Sequence, residues 1–206
     1  MFLHKTPWLF QKIYPSLTWR QNKPNTIYLT FDDGPIPEIT PFIQNTLADF
    51  KISATFFCVG DNLRRYNEIA QESIRLGHSV ANHTFNHLNG WKTNKNDYLN
   101  NIEQCENLIK ELGVSQLLFR PPYGRILNKQ IQLLKYKYRI VMWDVLTGDF
   151  SKSIDPQACL KGSLDATTHG SIVLFHDNIK AKKNLEYCLP RYIEHFLSAG
   201  FKFDLL

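Results

Sequence analysis

The 206-residue sequence lacks the features that mark membrane, fibrous and disordered proteins. It contains no run of about 18 apolar residues, the length that crosses a bilayer, and no repeat or low-complexity segment. Charged and polar side chains, beginning with His4 and Lys5, interrupt the first twenty residues, so no signal-peptide core is visible. With 43% hydrophobic and 21% charged residues, the composition is that of a globular protein. We therefore expect no transmembrane segment and a cytoplasmic location, with the cell envelope as the alternative.

Paired cysteines and clustered basic residues are also missing. The four cysteines form no C-x-x-C pair and no zinc-finger spacing, so we expect free, buried thiols. Lysine and arginine total 24 against 19 acidic residues, and the basic residues are scattered rather than gathered into a stripe. The sequence therefore indicates no nucleic-acid partner, and we expect a monomer.

Short apolar runs alternate with longer amphipathic stretches along the chain. The runs with the length and β-branched or aromatic content of buried strands are 26–31, 54–59, 79–81, 116–119, 139–143, 172–175 and 201–203. The helical stretches are 39–50, 63–76, 95–112, 128–136, 156–168 and 185–199. This alternation predicts βα units and an α/β fold with a mainly parallel sheet. Both an irregular barrel and an open doubly wound sheet fit the pattern.

The residues before the first strand are predicted to form an extension. We expect residues 1–23 to pack on a single domain of residues 24–206, with the aromatic side chains of Trp8, Phe10, Tyr14 and Trp19 docked on it. Ligand sites in parallel α/β proteins form at the carboxyl ends of strands, so the polar residues that follow each run are the candidates for function.

Two such clusters predict a metal site. Asp32 and Asp33 follow the first strand on an Asp-Gly-Pro turn, and because neighbouring carboxylates repel each other, a cation or an arginine is expected nearby. His83 and His87 are spaced to lie one turn apart on a helix, facing one cation. Two histidines and a carboxylate suit zinc with an open position for water, although non-haem iron uses similar ligands. We expect His78, at a strand start, to be a buried structural histidine.

Two further clusters supply ionisable groups. Arg120 follows the fourth strand beside two prolines, which stiffen the loop so that the guanidinium can pair with a carboxylate at the strand ends. His176 ends the strand at 172–175 and is suited to proton exchange near neutral pH. Asp149 is its candidate carboxylate partner.

Together the clusters resemble the polysaccharide deacetylase family, the NodB-homology group similar to carbohydrate esterase family 4. The resemblance runs from about residue 26 to residue 203. It includes T-F-D-D-G-P at 30–35, H-T-x-x-H at 83–87, R-x-P-Y-G at 120–124 and L-x-H-D at 174–177, in the family's order and spacing. It implies a distorted (β/α) barrel of about seven units, a divalent metal, and hydrolysis of the N-acetyl group of an N-acetylated sugar or polysaccharide.

The resemblance also implies roles for individual residues. Asp33, His83 and His87 hold one metal, zinc first with cobalt or nickel as alternatives. Asp32 is the general base and Arg120 its ion-pair partner. The Tyr123 backbone N–H shares the oxyanion with the metal. His176, on the opposite side, is the acid and is oriented by Asp149. Leu174 lines a slot for the acetyl methyl, and Trp91 offers a stacking surface for a sugar.

The sequence departs from the family at its fourth motif, usually D-x-x-D-W. Here Leu146 stands for the first acidic residue and Phe150 for the tryptophan, whereas Asp149 is kept. Substrate fit is therefore affected more than chemistry. Peptidoglycan, chitin-like oligosaccharides, another N-acetylated glycan, a lipid-linked sugar and an O-acetyl ester all remain open as substrates. The competing functions are a glycan-binding relative without catalysis and a phosphoesterase, which would need a second metal.

Overall fold

The structure is a computed structural model that describes residues 3–206. Its centre is a parallel sheet of eight strands. They are β1 (Thr26–Asp32), β2 (Thr55–Cys58), β3 (Ser79–Asn82), β4 (Leu118–Phe119), β5 (Arg139–Ile140), β6 (Val145–Leu146), β7 (Ile172–His176) and β8 (Lys202–Phe203). Seven run in the order β5-β4-β3-β2-β1-β7-β6, and β8 adds to β1. This curled, open arrangement confirms the predicted distorted (β/α) barrel.

The barrel is open between β5 and β6, where the N-terminal segment lies. On one side, the backbone N–H of Thr18 donates to the Ile140 carbonyl at 2.8 Å and the Thr18 carbonyl accepts from Met142. On the other side, the Thr6 N–H donates to the Asp144 carbonyl at 2.8 Å. Residues near the start of the chain therefore join both edges of the opening.

The side chains of this segment differ in their packing. Trp19 is buried and Tyr14 is half-buried, as expected. The expectation that Trp8 and Phe10 dock on the domain is wrong, because they lie on α1 (Trp8–Ile13), a short helix none of whose residues is buried. Their exposed fractions are 64% and 48%.

Helices cover the sheet, and most begin and end near the predicted residues. They are α2 (Thr40–Asp49), α3 (Gly60–Arg65), α4 (Asn67–Arg75), α5 (Lys95–Glu111), α6 (Asn128–Leu134), α7 (Pro156–Ala166) and α8 (Lys182–Ser198). The predicted helix at 63–76 is two helices, since Tyr66 leaves helical geometry with φ −129° and ψ 44°. None of the helices described is long and apolar enough to span a bilayer.

The core is built where the sheet meets these helices. Phe31 stacks on Phe56 and on Phe175, with ring centroids 5.1 and 6.0 Å apart. His78 is buried beside Phe56, as predicted, and burial lowers the pKa of His78 to about 4. The four cysteines are buried and free. The aromatic stack fixes β1, which carries the first polar cluster.

Truncation of this stack measures its contribution to stability. We expect Phe56→Ala to lower the free energy of unfolding by about 3–5 kcal/mol, because the change leaves a cavity among rings that cannot fully collapse. Urea denaturation followed by circular dichroism measures the loss. Trp8→Ala is the matched control, since Trp8 is exposed and its removal should change little; similar losses for the two variants would contradict this account of the core.

Candidate active site

The carboxyl ends of the strands form one pocket of about 690 Å³. Most of the predicted site residues lie in its wall, namely Asp32, Asp33, His83, His87, Tyr123, Leu174 and His176. Arg120 and Asp149 are fully buried behind them. Trp91 is the exception: it is 59% exposed and lines a neighbouring groove instead.

Three side chains in this pocket are arranged to hold a cation. One ligand atom each from Asp33, His83 and His87 lies within 4.8 Å of the other two. The Asp33 Oδ1 is 3.1 Å from His87 Nε2 and 3.6 Å from His83 Nε2. Two imidazoles and one carboxylate that converge in this way form a donor set suited to a divalent metal with an open position.

The histidines meet by a different route from the predicted one. Residues 83–87 form a loop after β3, so the prediction of a helix here is wrong. Thr84 and His87 have φ angles of 62° and 56°, in the left-handed region. The Asn101 side-chain oxygen, from α5, accepts hydrogen bonds from the backbone N–H groups of Phe85 and Asn86 at 2.8 and 2.9 Å. The loop therefore holds the imidazole rings 5.1 Å apart.

His83 is prepared to act as a ligand. Its Nδ1 lies 2.8 Å from the Arg120 carbonyl oxygen, which can only accept, so Nδ1 carries the proton and Nε2 keeps its lone pair. Burial lowers the pKa of His83 to about 4, and the ring is therefore neutral at pH 7. A neutral imidazole with a fixed tautomer is the form that binds a metal.

Two asparagines that the sequence did not single out hold Asp33. The Asn62 Nδ2 donates to the backbone oxygen of Asp33 at 2.8 Å, and the Asn178 Nδ2 donates to Asp33 Oδ2 at 2.5 Å. Burial opposes ionisation, but the hydrogen bond to His87 and the charges of His176 and His83 keep the pKa of Asp33 below its usual range.

Asp32 forms the predicted ion pair with Arg120. The Arg120 Nη1 donates to Asp32 Oδ1 at 2.6 Å and to Thr30 Oγ1 at 2.9 Å, while Nη2 donates to the Met142 carbonyl at 2.9 Å. The guanidinium lies 4.0 Å from the centre of the Phe57 ring. The other oxygen of Asp32, Oδ2, lies 3.7 Å from His83 Nε2 and so points towards the three candidate ligands.

His176 and Asp149 form the second ion pair of the pocket. The His176 Nδ1 is 2.9 Å from Asp149 Oδ1, and its backbone N–H donates to Asp149 Oδ2 at 2.7 Å. Burial alone would lower the pKa of His176, but the Asp149 carboxylate, with smaller contributions from Asp33 and Asp32, raises it to about 9. His176 is therefore protonated at pH 7.

The residue after His176 holds the turn that follows β1. Asp177 is buried, and its two oxygens accept hydrogen bonds from the Gly34 N–H and the Thr40 hydroxyl, each at 2.8 Å. A Cβ on Gly34 would lie 1.8 Å from Asp177 Oδ2, so only glycine allows this approach. The sequence placed Asp177 in a motif without a role; the structure assigns it to the turn that carries Asp33.

The apolar part of the wall includes both positions that depart from the family motif. Leu146 on β6 pairs in register with Leu174 on β7, and both line the pocket. Phe150 packs its ring edge-on against His176, 4.9 Å between centroids. Tyr123 has a left-handed backbone, φ 61° and ψ 8°, and its hydroxyl lies 3.1 Å from His87 Nδ1.

Comparison with known proteins gives consistent matches. Residues 20–140 match the family described as Polysaccharide deacetylase. A Bacillus cereus protein named peptidoglycan-N-acetylglucosamine deacetylase is 36% identical over 152 residues, which cover 73% of this chain but only 55% of that protein. A second B. cereus protein of the same name is 29% identical over 201 residues, covering 91% and 89%. A crystal structure of a peptidoglycan N-acetylglucosamine deacetylase superposes with a TM-score of 0.90 at 30% identity, over 98% of this chain and 95% of that one.

The His176–Asp149 pair predicts a titration that NMR can follow in the metal-free protein. Because the pKa of His176 in the folded protein lies above the ordinary value of 6.5, its protonated form stabilises the fold below about pH 6.5, and this stabilisation is lost as pH rises through 9. Asp149→Asn should move the titration of the imidazole signals from about pH 9 towards lower pH. Asp165→Asn, at an exposed carboxylate, is the control; equal shifts in both variants would contradict the assignment.

Proposed function

The chain belongs to the polysaccharide deacetylase family, and from this premise we propose that it is a hydrolase that removes the N-acetyl group from an N-acetylated sugar of the N-acetylglucosamine type. The observation that carries the proposal is the convergence of Asp32, the three candidate metal ligands and His176 on one pocket. A base, a cation site and an acid are the groups that amide hydrolysis requires. The names of the relatives support a peptidoglycan-type glycan.

Asp33, His83 and His87 would hold the metal, for which we propose zinc, with cobalt or nickel as alternatives. A bound divalent ion supplies polarisation of the acetyl carbonyl and a lowered pKa of water. The donor set supports this choice, since a neutral imidazole at His83 and an ionised Asp33 are the protonation states that such a metal requires.

Asp32 would accept the proton of the attacking water. Its Oδ1 is bound by Arg120 at 2.6 Å, which leaves Oδ2 free to face the pocket. The guanidinium pairs with the buried Asp32 side chain and restricts its rotation. The role of Tyr123 follows from its left-handed turn: we propose that its backbone N–H donates to the acetyl oxygen as negative charge develops there.

His176 would protonate the departing amine. Asp149 holds the Nδ1 side of the ring at 2.9 Å, so the acidic proton is on Nε2. A group that carries its proton at pH 7 and loses it near pH 9 suits a general acid. Leu174 and Leu146 provide an apolar surface for the acetyl methyl group.

Acetate release from N-acetylglucosamine oligosaccharides, with zinc, cobalt or nickel added, tests this function. The unmodified protein should release acetate, and Asp32→Asn should lower kcat by about two orders of magnitude or more, because the general base is lost while the candidate metal ligands remain. Asp49→Asn, at an exposed aspartate that ends α2, is the matched control. Glycan binding without acetate release in the unmodified protein would contradict the proposal and favour a binding relative.

Elemental analysis of dialysed protein tests the ligand set separately. His83→Ala should abolish bound metal, because it removes a buried donor whose Nε2 faces Asp33. His195→Ala removes an exposed imidazole of α8 outside the pocket and should leave metal content unchanged. Equal metal content in the His83→Ala variant and the unmodified protein would refute the assignment.

A further inference from the structure

An apolar groove of about 340 Å³ opens beside the catalytic pocket. The two cavities share Tyr123, Arg125 and Trp143 as wall residues, so a ligand can extend from one into the other. We call this cavity the side groove. Its remaining wall comes from the N-terminal segment, the region around α6 and the segments after β3 and β5, and includes Phe10, Tyr14, Trp19, Ile126, Ile131 and Met142.

Both indole N–H groups and the threonine hydroxyl in the wall of the side groove are already used inside the protein. The indole N–H of Trp19 donates to the Tyr14 carbonyl at 3.2 Å, and that of Trp91 donates to the Ile126 carbonyl at 3.1 Å. The Thr6 hydroxyl donates to the Trp143 carbonyl at 2.9 Å. A sugar ring would lose hydration here without gaining equivalent partners, which is costly. The lining therefore favours an apolar occupant.

A free positive charge stands where the two cavities join. Arg125 is exposed and forms no ion pair with any carboxylate in residues 3–206. Its guanidinium lies 5.2 Å from the Trp91 ring centre, which restricts its position. The N-terminal wall adds no opposing charge, because residues 3–31 contain no aspartate or glutamate. Guanidinium groups bind phosphate through paired hydrogen bonds.

We propose that the side groove takes the hydrocarbon chain of a substrate whose N-acetylated sugar is joined to that chain through phosphate. The sugar occupies the catalytic pocket, the phosphate lies at Arg125 and the chain lies against Phe10, Ile131 and Met142. The inference rests on the proposed function, since it names the substrate class of the same site. Leu3, exposed at 65% in the groove wall, extends the apolar surface outwards.

Binding of n-alkyl phosphates to the full chain tests the groove without any turnover. Isothermal titration calorimetry with butyl, hexyl and octyl phosphate should show affinity rising about fourfold per added methylene, the gain expected for burial of one methylene. Octyl phosphate should also change the fluorescence of the tryptophans in the wall. Affinity independent of chain length would overturn the proposal. Binding of N-acetylglucosamine oligosaccharides in the side groove, with displacement of octyl phosphate from it, would overturn it too.

Two neighbouring positions of α1 provide a matched pair of variants. Phe10→Glu places a carboxylate in the groove wall and should weaken octyl phosphate binding about tenfold or more. Leu9→Glu adds the same charge at an exposed neighbour outside the groove and should bind like the unmodified protein. Arg125→Gln should weaken octyl phosphate about tenfold but leave octanol binding unchanged. Equal losses in Phe10→Glu and Leu9→Glu would overturn the proposal.

Acetate release separates this inference from the proposed function. N-acetylglucosamine 1-phosphate carrying an octyl ester on its phosphate should lose its acetyl group with a kcat/KM at least about tenfold higher than the same sugar phosphate without the chain. Equal rates for both would overturn the groove proposal and leave the proposed function intact. Chain-length-dependent binding of alkyl phosphates, with no acetate release from either sugar phosphate or from N-acetylglucosamine oligosaccharides, would sustain the groove and refute the proposed function.

Discussion

The buried ion pair between Arg120 and Asp32 is the interaction on which the site depends. The guanidinium contacts the end of β1 through Asp32 and Thr30, and the segment after β5 through the Met142 carbonyl. The Arg120 backbone oxygen fixes the imidazole of His83. Arg120 therefore joins three strand ends and sets the tautomer of a candidate ligand. Removing one member of such a pair leaves an uncompensated buried charge, which generally costs about 3–5 kcal/mol.

Backbone strain accompanies this arrangement. Asp33, Thr84, His87 and Tyr123 all have φ angles between 56° and 90°, in a region that side chains other than glycine disfavour. All but Thr84 line the pocket, and Thr84 lies in the loop between the two histidines. Side-chain hydrogen bonds hold these turns, including those from Asn62 to Asp33 and from the Phe85 N–H to Asn101. The surrounding structure thus offsets the strain that aims the side chains.

The sequence was enough to predict those parts of the molecule in which burial in the fold itself produces the residue pattern. Buried strands require apolar runs, and parallel strands bring their carboxyl ends to one edge, so the positions of Asp32, His83 and His176 could be predicted. The roles assigned to these residues remain predictions. The loop geometry of His83 and His87 could not be foreseen, because an i, i+4 spacing fits both a helical turn and a left-handed loop. The contacts of Asn62, Asn178 and Asp177 carry no local signal, since each joins residues at least 29 positions apart.

The pairing of the N-terminal segment with the open side of the barrel has a consequence for folding. The contact between the Thr6 hydroxyl and the Trp143 carbonyl spans 137 residues, and the pairing of Thr18 with Ile140 of β5 spans 122. During translation, residues 6–18 are made well before residues 140–144, with which they pair. Contacts of such separation carry a large loop-closure entropy and form slowly. The opening between β5 and β6 is therefore closed at a late step of folding, by a segment whose partners lie far along the chain.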